Sequence, residues 1–80
     1  MSVTVLFLGP LRDAAGMADC EVAAPLDWEG LLAAVPAELA AQLREPRVHV
    51  ACAGRVLADK TALDARDGDE VALLPPVSGG

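Results

Sequence analysis

Hydrophobic and polar positions along the chain change period several times, and each change marks an element. Val3-Thr4-Val5-Leu6-Phe7-Leu8 is apolar on both alternating sets, with Val3, Val5 and Phe7 on one side and Leu6 and Leu8 on the other. Such a strand belongs mid-sheet, and Gly9-Pro10 bounds it. Leu11 to Ala15 predicts a short helical turn closed by Gly16, and Asp19 to Ala23 a second strand ending at Pro25. Asp27 is a natural N-cap, and Trp28, Leu31, Leu32 and Val35 follow at i, i+3, i+4 and i+7, one face of a helix. Pro36, read as a first helical position, predicts another short helix with Leu39 and Leu43 on one face, and Pro46 stops it.

Val48 to Ala53 reads as a third strand, followed by a Gly54-Arg55 turn and a short strand Val56 to Ala58. Asp67-Gly68-Asp69 is a turn signal, and Glu70 to Leu74 is the last strand. The first and last strands are apolar on both faces, and a helix between them suits a crossover that leaves the two parallel. The expected fold is therefore α+β, a single mixed sheet packed on a helix, with the first and last strands central and parallel. It fills residues 1–74, and residues 75–80 form a tail. On this alternation Val3, Val5, Phe7, Val71 and Leu73 face the helix, while Leu6, Leu8 and Leu74 face the other way.

Eighty residues make one domain with a thin core, which leaves no room for a large internal cofactor pocket. Twelve acidic against six basic side chains give a net charge of -6. That charge repels phosphate backbones and anionic lipid, so nucleic acid and membrane surfaces are not expected as partners, whereas basic protein surfaces are. Two cysteines are too few for a disulfide framework, and the apolar N-terminus has no basic leader. A soluble, reducing, cytoplasmic setting is the expectation.

Familiar catalytic constellations are missing. His49 is the only histidine and lies in a strand whose neighbours Val48 and Val50 point the other way, so it reads as a surface or edge residue. Cys20 and Cys52 have no CxxC spacing and no clustered histidine, so they read as packing residues and no metal is expected. Asp67 and Asp69 read as turn residues, and Trp28 as an anchor of the helix's apolar face.

The informative segment is Leu74-Pro75-Pro76-Val77-Ser78-Gly79-Gly80. Two prolines stop the strand and bias the chain to polyproline II, so six residues reach roughly 19 Å at full extension. Gly79 and Gly80 have no side chain, so the tip fits a channel too narrow for any Cβ. Two readings stand at this point. Final residues usually fray; alternatively, the tail carries a slim, reachable α-carboxylate, in keeping with its lack of charged side chains beyond Glu70.

The run Asp67-Gly68-Asp69-Glu70-Val71-Ala72-Leu73-Leu74-Pro75-Pro76-Val77-Ser78-Gly79-Gly80 resembles the C-terminal signature of MoaD-like sulfur carriers, the small subunits of molybdopterin synthase. Val3 to Leu8, with Leu11-Arg12-Asp13 and Gly16, is similar to the opening strand and Leu-Arg-Glu-x-x-Gly turn of the same family. The resemblance spans nearly the whole chain and is least specific over 27–47. Leu73 and Leu74 stand where the family often has aromatics, and Ala53-Gly54 where it often has Asn-Gly.

The resemblance implies a β-grasp, ubiquitin-like fold and a chain whose own reactive group is its C-terminus. A MoeB-like enzyme would adenylate the Gly80 carboxylate with ATP, and a persulfide-derived sulfur would displace AMP to leave a thiocarboxylate. A MoaE-like large subunit, in a heterotetramer of two small and two large subunits, would receive the tail and pass the sulfur to cyclic pyranopterin monophosphate. Catalytic side chains would then belong to the partners, and this chain would bind no cofactor itself. Gly79 and Gly80 would form the reacting tip, and Leu6, Leu8, Leu74, Pro75, Pro76 and Val77 the partner-binding surface. Thiamine-pathway or tRNA-thiolation carriers share the Gly-Gly end, though thiamine carriers as a rule lack the Pro-Pro-Val-Ser lead-in. A ubiquitin-like modifier that forms isopeptide bonds through Gly80 would need the same adenylation.

Overall fold

A computed structural model describes residues 1–76. In chain order the elements are β1 (Ser2–Phe7), α1 (Pro10–Ala15), β2 (Asp19–Ala23), β3 (Leu26–Asp27), α2 (Trp28–Ala34), α3 (Ala37–Leu43), β4 (His49–Cys52), β5 (Arg55–Val56), a 3-10 turn (Lys60–Ala62), β6 (Asp64–Ala65) and β7 (Glu70–Leu74). The main sheet has five strands in the order β2-β1-β7-β4-β5. β1 and β7 run parallel in register from Thr4 opposite Glu70 to Phe7 opposite Leu73, in agreement with the hydrophobic pattern. All other pairings in this sheet are antiparallel.

The two-residue period of β1 and β7 sends Val3, Val5, Phe7, Val71 and Leu73 inward, where each is at most 2% exposed. Trp28 and Leu31 of α2 and Leu39 and Leu43 of α3 are buried in the same core. Leu32 and Val35 are only half-buried and border an open groove between α2 and α3. The Asp27 carboxylate caps α2, accepting from the Gly30 N–H at 2.7 Å. Pro36 precedes α3 as its N-cap and is not its first helical residue; its ψ of 151° is extended, and its carbonyl accepts from the Ala40 N–H. A proline ring disfavours helical geometry at the residue before it, and Val35 is accordingly extended at φ −111° and ψ 160°.

Three features go beyond the sequence reading. β3 and β6 form a separate two-stranded ladder, Leu26 opposite Ala65 and Asp27 opposite Asp64. A 3-10 turn at Lys60–Ala62 is capped by Asp59, which accepts from both the backbone and the hydroxyl of Thr61. Lys60, the only lysine in the chain, donates its ammonium to the carbonyls of Glu45 and Val48. It also lies 5.8 Å from the centre of the Trp28 ring. Lys60 thus ties the α3–β4 connection to the layer beneath it, with a cation–π contact in support.

The β4–β5 hairpin turns one residue earlier than its Gly54-Arg55 signal suggests. Cys52 pairs with Arg55, so Ala53 and Gly54 form the two-residue loop. Both have positive φ, 53° and 83°, as a type I′ turn requires. Glycine adopts this geometry freely, but an L-alanine in the left-handed region costs about 1–2 kcal/mol. Ala53→Asn, whose side chain tolerates this region, should therefore raise the urea midpoint by an amount equivalent to about 1 kcal/mol. Ala53→Val should lower it, and equal midpoints for the two variants would refute the turn assignment.

Candidate functional site: the outer sheet face and the root of the tail

The helices line one face of the sheet, and the pairing registers specify what the other face carries. One row crosses all five strands: Asp19, Leu6, Ala72, Ala51 and Val56. Leu6, Ala72 and Ala51 are half-buried, and Val56 is 60% exposed. On the side towards the end of β7 the next pair is Leu74 opposite His49. On the other side lie Glu21, Thr4 and Glu70. The outer face is therefore a shallow apolar strip, low in the middle over two alanines and bordered by carboxylates at Asp19, Glu21 and Glu70. Alternation brings Leu6 and Leu74 to this face, as expected.

Leu8 differs from the expectation in its position. β1 ends at Phe7, and Leu8 is 40% exposed in the turn into α1, where its carbonyl accepts from the Leu11 N–H at 3.2 Å. Strand alternation does not extend to a residue beyond the last strand position, so Leu8 is not part of the ladder row. It stands instead on the rim where β1 and β7 both end, beside the root of the tail. Pro75 and Pro76 follow β7 directly and are half-buried. Val77, Gly79 and Gly80 lie outside the described residues.

Ala51, Ala72, Val56 and His49 join the candidate face; alternation already turns Ala72 the way of Leu74, and His49 and Ala51 away from Val50, but it does not show which strands lie side by side. Their common signal is the register between β4 and its neighbours, which a single sequence does not display. His49 is exposed and directly opposite Leu74, with Val48 and Val50 buried on either side of it in sequence.

Neither thiol is disposed to act as a nucleophile. Cys20 pairs with Val5 and Cys52 with Val71, which puts both on the helix side of the sheet, half-buried. Burial pushes the Cys20 thiol above its ordinary range, with the Asp19 carboxylate adding to it. Burial does the same for Cys52, reinforced by Asp69 and Asp64, and its sulfur is 4.0 Å from Asp69 Oδ2. A thiol kept protonated at neutral pH is a weak nucleophile. Asp67 and Asp69 are turn residues: Asp67 accepts from the Ser2 N–H and Asp69 from the Arg66 N–H, both at 2.9 Å. Among the described residues no group of three His, Cys, Asp or Glu is placed to hold a metal ion, and no helix is long and apolar enough to cross a membrane. The arrangement offers an apolar strip that runs to Pro75 and Pro76 at the end of the described chain.

A model of the ThiS family matches residues 5–80. Among solved structures, the chain is similar to the Haloferax volcanii HVO 2177 protein, at 30% identity and a TM-score of 0.78 over 100% of this chain and 87% of that one. It is similar to small archaeal modifier protein 1 from Haloferax volcanii, at 28% identity and a TM-score of 0.71 over 100% of both chains. It is also similar to a chain in the complex of subunits 1 and 2 of molybdopterin-converting factor from Helicobacter pylori, at 26% identity and a TM-score of 0.66, again over 100% of both. No curated protein matches. These neighbours share the β-grasp, ubiquitin-like architecture described above.

The two sheet faces make opposite predictions for adjacent residues. Leu73 is fully buried, so Leu73→Asp places a carboxylate in the core and should cost about 4 kcal/mol or more, enough to unfold a domain of this size. Leu74→Asp changes the outer face and should stay within about 1 kcal/mol of the wild type. Urea titration followed by Trp28 fluorescence measures both, and equal destabilisation would overturn the assignment of faces.

Proposed function

The chain belongs to the ThiS/MoaD family of ubiquitin-like sulfur carriers, and from that membership we propose that it is the sulfur-donating small subunit of a molybdopterin synthase. The observation that carries this reading is the apolar strip of Leu6, Ala72, Ala51 and Leu74 running into Pro75-Pro76. It would serve as a docking face contiguous with a tail that can enter a partner. The Pro75-Pro76-Val77-Ser78-Gly79-Gly80 lead-in and the full-length similarity to a chain of the molybdopterin-converting factor complex support it.

The chemistry starts from the poor electrophilicity of a carboxylate. A MoeB-like activating enzyme transfers AMP from ATP to a Gly80 carboxylate oxygen and releases pyrophosphate. The terminal sulfur of a persulfide attacks the acyl carbon, AMP leaves, and a thiol cleaves the resulting acyl disulfide to free the thiocarboxylate. A MoaE-like large subunit then receives the tail. The sulfur attacks a carbon of the cyclic pyranopterin and displaces the oxygen substituent there, water attacks the acyl carbon and breaks the acyl C–S bond, and the Gly80 carboxylate is regenerated; two such deliveries complete a dithiolene. This chain contributes reach and a carried atom, while the partners contribute the catalytic side chains. Both partners handle phosphate-bearing molecules, and a carrier of net charge -6 complements their basic surfaces.

A second reading is favoured by one specific observation, the similarity to small archaeal modifier protein 1. Here the adenylated Gly80 would be attacked by a lysine amine of a target to form an isopeptide bond. A ladder of conjugates on denaturing gels supports that reading, and a stably co-purifying large subunit supports the first.

Intact-mass analysis after incubation with ATP, the activating enzyme and a sulfur donor should show a gain of about 16 Da on the C-terminal peptide, sulfur replacing oxygen at the nucleophile-accepting carbon. A gain of about 32 Da on Cys20 or Cys52 would instead indicate a persulfide carrier and overturn the assignment. Deleting Gly80 shortens the reach by ~3 Å, and Gly79→Val adds a β-branched side chain at the tip. Both variants should bind the large subunit within about tenfold of the wild type while forming almost no product. Near wild-type turnover by Gly79→Val would remove the requirement for a slim tip.

A further inference from the structure

Two chain segments part company on one rim of the sheet. Phe7 and Leu73 are opposite each other at the ends of the parallel strands β1 and β7. Beyond them β1 turns through Gly9 into α1, while β7 continues into Pro75 and Pro76. Gly9 holds φ 56° and ψ −134°, a combination open to glycine and unfavourable for an L side chain. A Cβ built on Gly9 would lie 3.1 Å from Cγ of Pro75. The proline ring therefore rests against a bare α-carbon, in a space that no other residue type leaves free.

The contact is selective. Gly16, Gly54 and Gly68 also have positive φ, at 75°, 83° and 86°, yet a Cβ on any of them would meet nothing within 4 Å. Their glycines answer to backbone conformation alone, whereas Gly9 answers both to conformation and to the root of the tail. Gly9 is itself held in place. Its carbonyl accepts from the Arg12 N–H at 3.0 Å, the Leu8 carbonyl accepts from the Leu11 N–H at 3.2 Å, and the Leu11 side chain is 1% exposed in the core.

We infer that Gly9 is a positioning residue for the tail, its bare α-carbon forming the seat that sets the direction in which Pro75 leaves the sheet. The consequence for transfer rests on the carrier reading. Pro75 lies five residues before the Gly80 carboxylate, about 15 Å away when extended. A shift of roughly half an ångström at the ring, pivoting at Leu74 some 3 Å away, becomes about 3 Å at the reacting carbon of an extended segment. Misplacement on the order of 1 Å suffices to cost about 100-fold in rate.

The test compares Gly9→Ala, which puts a methyl group on the ring, with Gly16→Ala, which strains a left-handed glycine over open space, and with Pro75→Ala, which removes Cγ. In the isolated wild-type chain, NMR should show an Overhauser contact between Gly9 Hα and Pro75 Hγ. Gly9→Ala should shift Pro76 resonances, and Gly16→Ala should leave them in place. With thiocarboxylated chain and saturating large subunit, single-turnover transfer should fall about tenfold or more for Gly9→Ala and for Pro75→Ala, with the dissociation constant of Gly9→Ala within about threefold of wild type. Gly16→Ala should lower stability and leave the transfer rate unchanged. The Gly9→Ala/Pro75→Ala double variant should be no slower than Gly9→Ala alone, because the added methyl no longer meets Cγ. Equal transfer rates for Gly9→Ala and Gly16→Ala, or wild-type rates for Pro75→Ala, would overturn the proposal, and Pro75→Ala decides it if Gly9→Ala does not fold. If the wild-type chain accepts no sulfur, the carrier reading fails, while the Overhauser contact and the Pro76 shifts still decide whether Gly9 seats the tail.

Discussion

The parallel pairing of β1 with β7 is the constraint on which the rest of the molecule depends. Two parallel neighbours cannot be joined by a hairpin, so the chain between them must leave the sheet and return to it. It does so through α2 and α3 on one face, and Trp28, Leu31, Leu39 and Leu43 close over Val3, Val5, Phe7, Val71 and Leu73. The connection also supplies β4, which pairs with the free side of β7 and makes β7 the middle strand of five. With the buried side chains of all three helices in this one core, none covers the outer face. The same pairing brings the ends of β1 and β7 to a common rim, so the first turn of the chain and the root of its tail become neighbours although they are distant in sequence.

Size then limits where chemistry can reside. A domain of this length has one thin core and buries only about 60% of the surface of its unfolded chain. Its interior is filled with aliphatic side chains and the rings of Phe7 and Trp28, and among the described residues no polar or charged one is buried. The half-buried thiols are held protonated by burial and neighbouring carboxylates. A protein built this way recognises partners with its surface, and on the proposed function it presents a reactive group beyond its own fold.

How much of this is legible in the sequence depends on the length and composition of each element. β1, β7 and α2 are readable because six, five and seven residues respectively are enough for a hydrophobic period to declare itself. β3 and β6 have two residues each, too few for any period, and they form only because Leu26 and Ala65 are brought together by the core. Lys60 has the sequence surroundings of a surface charge; its role comes from two carbonyls and a tryptophan ring that meet only in the folded chain. On the outer face, Leu6, Ala72 and Leu74 follow from alternation, whereas the meeting of Ala51 with Ala72 requires the β4–β7 register. Alanine is apolar enough for either face and small enough for neither to demand it. Leu8 continues the apolar run one position past the end of its strand, because hydropathy alone does not reveal the positive φ at Gly9 that turns the chain away.

The composition of the docking strip bears on how a carrier of this kind works. On the proposed function the chain must bind an activating enzyme, leave it, and bind a large subunit, so neither complex can profit from unlimited affinity. Buried area converts poorly into affinity in any case, because hot-spot quality and preorganisation decide the outcome. Here the strip offers two half-buried leucines around a low floor of two alanines, with no aromatic side chain. The carboxylates of Asp19, Glu21 and Glu70 at its border act on encounter with basic surfaces more than on residence time, since rim charges mainly change association rates. A face of this kind can be found quickly and left quickly. Specificity then has to arise after docking, from the direction in which Pro75 leaves the sheet and from the width of the tip at Gly79 and Gly80, features that separate partners by geometry without tightening the complex.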